Sequence, residues 1–225
     1  MRGEPRDYFL GVAVWLLGWS AAFAVSALAT RRRLHGTLGG DFLLMARDLL
    51  AAAVAYGCWQ ALLPIRSDGR GAPGLHAGLL ALAGLFTAAY LYLLMRRGIN
   101  RVETPQMFKQ RHPLIPLRIL SFVLFQQLAA TCVLFDWHRV FFDARTALLL
   151  TAAVFALTHL GVVLFGLSLR VGVILTLASG VAMLLWGGLR LSYGSAWAGV
   201  LIHFLFYMAL ACHDALRGHR AASER

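Results

Sequence analysis

Residues 121–135 read SFVLFQQLAATCVLF, the heart of an apolar stretch, 114–135, whose single charge is Arg118 near its start. As a helix rising ~1.5 Å per residue, about 20 such residues cross ~30 Å of hydrocarbon. Gln126, Gln127 and Thr131 fall near its middle, within a helical turn or so of one another. Six further stretches have the same character: 8–29, 43–64, 75–95, 146–169, 171–190 and 196–213. None alternates with the two-residue period of a barrel strand. The fold class predicted is all-α, a polytopic integral membrane protein of about seven transmembrane helices. The sixth stretch is the weakest, because Gly172, Gly180, Gly187 and Gly188 interrupt it and only Arg170 separates it from the fifth.

Composition agrees. Hydrophobic residues make up 60% of the chain, charged residues 14%, and mean hydropathy is +0.69; a soluble domain carries about 25% charged residues. The loop 96–113, basic and holding Pro105 and Pro113, divides an N-terminal set of transmembrane helices (1–113, loop included) from a four-helix core (114–225).

A net charge of +11 could signal nucleic acid, but no aromatic residues interleave with the basic ones on a soluble surface, so nucleic acid is excluded as a partner. With the N-terminus outside, 14 of the 21 Lys and Arg residues fall on the inner side and 7 on the outer. That asymmetry places the loop around Lys109 and the tail ending at Arg225 in the cytoplasm, with lipid headgroups as partners. Arginine-for-lysine usage and abundant alanine suggest a bacterial source and hence the inner (plasma) membrane. The first stretch is too long for a signal-peptide core, and Arg31, Arg32 and Arg33 follow it as a stop signal. Lys109, the one lysine, sits in a loop, which excludes a retinal Schiff base. Cys58, Cys132 and Cys212 lie on different helices without ligand spacing, so no metal site is predicted, and any cofactor is unknown.

His159 and His203 lie near the middle of the fifth and seventh stretches. An ionisable group at the bilayer centre costs at least ~2.5 kcal/mol on insertion scales, which marks both as candidate functional residues. TAAVFALTHLG, 151–161, stacks Phe155 on His159 at a four-residue spacing, and GSAWAGVLIHFLFYMAL, 194–210, stacks His203 on Tyr207. Gln126 or Gln127 is expected to share one cavity with both histidines. The plain alternative is polar glue, in which the glutamines and histidines only hydrogen-bond between helices at ~0.6–2 kcal/mol per contact. The six tryptophans read as interfacial belt or packing residues.

These motifs resemble the CPBP intramembrane proteases, also called the CAAX prenyl endopeptidase or Abi-like family, over the C-terminal ~110 residues. The family pattern is E-E-x-x-x-R on one helix, F-x-x-x-H on the next and H-x-x-x-N/D on a later one. FQQLAATCVL stands at the first motif, FALTH at the second, and LSYGSAWAGVLIHFLFY runs up to and through the third. The resemblance implies Gln126, Gln127, His159 and His203 at catalytic positions, and Phe155, Thr131 and Tyr207 beside the substrate, with a membrane-anchored peptide or protein as partner. Gln126 and Gln127 replace the paired glutamates, Thr131 the arginine and Tyr207 the Asn or Asp. A glutamine amide has no useful basicity and supplies no anionic charge. No other acid lies at the centre of the last four stretches; Asp136 is ~15 Å along a helix from Gln126, and Asp48 is expected to pair with a neighbouring arginine. The reading is therefore a CPBP-like membrane protein with impaired or lost proteolysis and a binding or accessory role. Two alternatives stay open: an active divergent protease using His159 or His203 as base, and a bis-histidine haem protein.

Overall fold

A computed structural model describes residues 4–31, 37–62, 114–161 and 168–223, with the single positions 85 and 163. Every regular element among them is helical. In chain order these are α1 (Pro5–Arg31), α2 (Leu38–Leu62), α3 (Ile115–Gln127), a π-helical segment (Leu128–Leu134), α4 (Phe135–Phe141), α5 (Ala144–Leu160), α6 (Leu169–Tyr193) and α7 (Trp197–Ser223). Three runs are long and apolar enough to cross a membrane: Gly39–Ala61, Ile115–Phe141 and Leu169–Tyr193. The expected stretch 75–95 and the loop 96–113 lie outside the described residues, except for Leu85, which is helical.

Local chemistry sets the helix ends. Pro116 occupies the first turn of α3, where its missing N–H leaves no helical bond unmade. Asp143 caps α5, its carboxylate accepting from the backbone N–H of Arg145 and Thr146 at 3.0 and 3.1 Å. Gly194 ends α6 in the left-handed region, φ 69°, and its N–H donates to the Arg190 carbonyl.

The fifth and sixth stretches differ from the sequence expectation. The fifth stretch does not run to residue 169: α5 stops at Leu160, capped at Gly161, and Ser168 caps α6 by accepting from Val171 N–H. Arg170 therefore lies inside the first turn of α6 rather than between two helices. The sixth stretch, apparently loosened by glycine, is a continuous helix of 25 residues. Gly180 and Gly187 are seats for α5. A Cβ on Gly187 would lie 2.3 Å from Leu148 Cδ1, and one on Gly180 would lie 3.3 Å from Ala156 Cβ.

Contacts between helices set their directions. Trp15 Nε1 donates to the Ala129 carbonyl at 2.8 Å, and Trp137 Nε1 donates to the Tyr8 carbonyl at 3.3 Å, so α1 runs antiparallel to the α3–π–α4 rod. α2 runs parallel to that rod. Asp48 of α2 is paired with Arg118 at the start of α3, and Trp59 near the end of α2 donates to Asp136 of α4 at 2.6 Å. α5 and α6 are antiparallel neighbours. α7 returns along α3, with His203 level with Gln127 and Tyr207 level with Phe122.

The core draws on both halves of the chain. Trp15 and Trp19 of α1 and Ala52 of α2 pack with Phe125, Ala129, Ala130, Leu134, Ala152, Phe155 and Met183. One buried cluster therefore draws on helices before and after residue 113. Two buried ion pairs clamp the rod, each nine residues from Gln127. Asp48 is fully buried and takes both Arg47 and Arg118, while Arg47 also donates to the Ala22 carbonyl of α1 at 3.2 Å. Arg190, in the last turn of α6, is 1% exposed and paired with Asp136 at 2.5 Å. A lone charge there would carry a desolvation penalty of several kcal/mol, so the pairing decides where the arginine goes.

Candidate functional site

Gln127 is the last residue of α3, directly before the π segment. Such a segment is rare, and where it occurs it is frequently at a functional site. The glutamine is 1% exposed and its side-chain nitrogen lies 3.1 Å from Nδ1 of His203 on α7. An amide nitrogen can only donate, so Nδ1 accepts. With the amide nitrogen as donor, a neutral imidazole would carry its proton on Nε2. Trp186 of α6 stacks on the His203 ring at 4.3 Å between centroids, and Tyr207 flanks it at 4.8 Å.

Gly199 permits this arrangement. It lies four residues before His203, on the same face of α7, and a Cβ there would sit 2.9 Å from Gln127 Oε1 and 3.5 Å from Trp186 Cβ. The missing side chain lets the backbone of α7 lie against the amide and the indole.

His159 is held differently. Its Nδ1 lies 2.8 Å from the carbonyl of Phe155, one turn back on α5. A carbonyl only accepts, so here Nδ1 carries the proton and Nε2 carries the lone pair. The ring lies 4.6 Å from that of Phe155 and 6.5 Å from that of Trp19. Phe155 in turn meets Trp19 at 5.5 Å and Trp186 at 6.2 Å, edge to face. An aromatic path, His159–Phe155–Trp186–His203, joins the two imidazoles.

The remaining candidates fall around this frame. Gln126 is buried, and its Oε1 has no hydrogen-bond partner; it does not share the Gln127–His203 bond. Thr131 donates its hydroxyl to the Gln127 carbonyl at 2.5 Å, which ties it to its own helix. Phe155 is a buried wall between Trp19, Trp186 and His159.

Sequence reasoning passed over three participants. Trp186 and Trp19 read as belt or packing residues, although they line the two histidines. Gly199 carried a usable signal, its four-residue spacing from His203. No signal at the level of sequence joins Trp186 to either histidine, because that contact depends on how α6 rotates against α7.

Among the described residues, no three His, Cys, Asp or Glu side chains converge as a metal set would. What the arrangement offers chemically is asymmetric: His159 presents a lone pair at Nε2, and His203 presents an N–H. No family model, no characterised protein and no solved structure matches this chain.

Proposed function

We propose that the protein is a CPBP-like polytopic membrane protein whose His203 site has lost hydrolysis and keeps a binding or accessory role toward a membrane-anchored peptide or protein. The observation that carries this reading is the Gln127–His203 hydrogen bond. A carboxylate at position 127 would accept from Nδ1–H and leave Nε2 as a base. The amide does the reverse, so His203 becomes a hydrogen-bond donor without proton-abstracting capacity.

The same proposal includes seven crossings, a bacterial inner membrane and a cytoplasmic C-terminus. Parallel α2 and α3 support an odd number of crossings between them, in keeping with the apolar stretch 75–95. Reporter fusions at Lys109 and Arg225 should both give the cytoplasmic signal. An external signal at Arg225 would overturn the topology.

The second reading, an active divergent protease, has one observation in its favour: His159 Nε2 is left basic by the Nδ1–H bond to Phe155. Purified protein in lipid is expected not to cleave a peptide that a glutamate-bearing CPBP protease cleaves. Turnover by the unmodified protein, abolished by His159→Ala, would replace the first reading with the second.

A further inference from the structure

The π segment between Gln127 and Asp136 plays no part in either reading of the histidines, and it takes up one residue more than an α-helix would. The N–H of Leu128, entering it, reaches the Leu124 carbonyl four residues back. That of Phe135, leaving it, reaches the Ala130 carbonyl five residues back. In an α-helix one residue is about 100° of turn.

That surplus decides what faces His203. Asp136 is anchored by Arg190 of α6 and Trp59 of α2, while Gln127, nine residues earlier, meets His203 of α7. With one residue absorbed, the two side chains are related by the angle of about eight regular residues, ~800°. In an unbroken α-helix anchored at Asp136, the eighth residue back is Leu128. Its apolar side chain would take the direction that the amide now has, and Gln127 would turn away by about 100°. The π segment therefore lets one rod make both pairs.

Such segments are rare, so this one must be held against the regular helix. Two side chains bond to carbonyls at its start. The Thr131 hydroxyl donates to the Gln127 carbonyl at 2.5 Å from within the segment, and Trp15 Nε1 of α1 donates to the Ala129 carbonyl at 2.8 Å from outside it. A side chain inserted at the backbone ladder is a known cause of departure from α geometry. The Trp15 ring is itself fixed, stacked on Trp19 at 5.0 Å, and Trp19 stacks on Phe125, two residues before Gln127, at 5.6 Å. We propose that Trp15 is a positioning residue for the Gln127–His203 pair: its indole N–H latches the π segment, and α1 thereby keeps the amide on the imidazole.

The test uses the full chain in lipid nanodiscs with labelled glutamine and histidine. Magic-angle-spinning NMR reads the through-space contact between Gln127 Cδ and the His203 ring, a readout independent of whether hydrolysis is lost. Trp15→Phe keeps an aromatic ring against Trp19 and removes the N–H. The contact is expected in the unmodified protein and lost in Trp15→Phe. It should return when Val133 is deleted from the Trp15→Phe variant, because a rod without the surplus residue needs no latch. A purely structural Trp15 would lower stability and leave the contact in place in Trp15→Phe, which would overturn the proposal. So would a Trp15→Phe deletion variant that folds without regaining the contact. The Trp15→Phe measurement decides by itself if the deletion variant does not fold.

Discussion

Gln127 and His203 meet at 3.1 Å in the interior of the bundle, amide nitrogen to Nδ1, midway along the rod between two buried ion pairs. The bond joins α3 to α7 and also decides which nitrogen of His203 bears the proton. A carboxylate at position 127 would accept from Nδ1–H instead, so the amide and the acid favour opposite tautomers of the partner imidazole.

The tautomer is directly measurable. In the unmodified protein, histidine nitrogen shifts should show His203 with Nδ1 unprotonated and Nε2–H. Gln127→Glu, which removes the donor and supplies an acceptor, should exchange the two. Nδ1–H in the unmodified protein would mean that Gln127 presents its oxygen instead, and Nε2 would then carry the lone pair.

Gly199→Ala should disturb the same bond without touching either partner. The added methyl would lie 2.9 Å from Gln127 Oε1, inside normal contact. Overpacking of this kind costs about 1–3 kcal/mol. Gln127→Ala should be milder in the Gly199→Ala background than in the unmodified protein, since it removes the clashing atom. Strict additivity of the two in thermal unfolding would show that Gly199 and Gln127 are not in contact.

Asp48 holds Arg118 and Arg47 together at the α2–α3 contact. Asp48→Ala leaves Arg118 buried and unpaired, and should destabilise by about 3–5 kcal/mol. Asp48→Leu with Arg118→Leu, which removes both charges, should cost much less than the single change. A double variant as unstable as Asp48→Ala alone would show that packing, rather than the unpaired charge, dominates at this junction.

Phe155 is the wall shared by Trp19, Trp186 and His159. Phe155→Ala should cost about 3–5 kcal/mol in unfolding free energy, as core aromatic truncations do. Phe155→Leu should cost less and should leave the His159 Nδ1–H bond to the backbone carbonyl in place. Loss of that bond in the leucine variant would show that ring contact holds the imidazole.

Asp143 lies in the α4–α5 turn, outside the apolar runs, and the Thr146 hydroxyl and N–H hold its carboxyl below the usual carboxylate range. A depressed carboxylate pKa stabilises the folded state above the unfolded value of about 3.9. That contribution is lost as pH falls through the lower folded value. The unmodified protein should therefore gain stability over Asp143→Asn near neutral pH and converge with it in acid. A difference that persists unchanged below pH 3 would place the cap's effect in neutral hydrogen bonding alone.

The sequence by itself determined the helical, membrane-type composition, the places where apolar runs lie, and the four-residue pairing of Phe155 with His159 and of His203 with Tyr207. These are local properties: hydropathy over about 20 residues and a 3.6-residue period are written along the chain. Only the tertiary structure decided that Gln127 rather than Gln126 meets His203. Neighbouring helical residues point about 100° apart, and the π segment that follows alters the register that a regular helix would keep. The tertiary structure likewise turned Gly180 and Gly187 from apparent interruptions into seats for α5, and brought Trp186 onto His203. It also paired Arg190 with an aspartate 54 residues away. Each of these depends on the rotation of one helix against another, a property of the packed bundle that no single segment encodes.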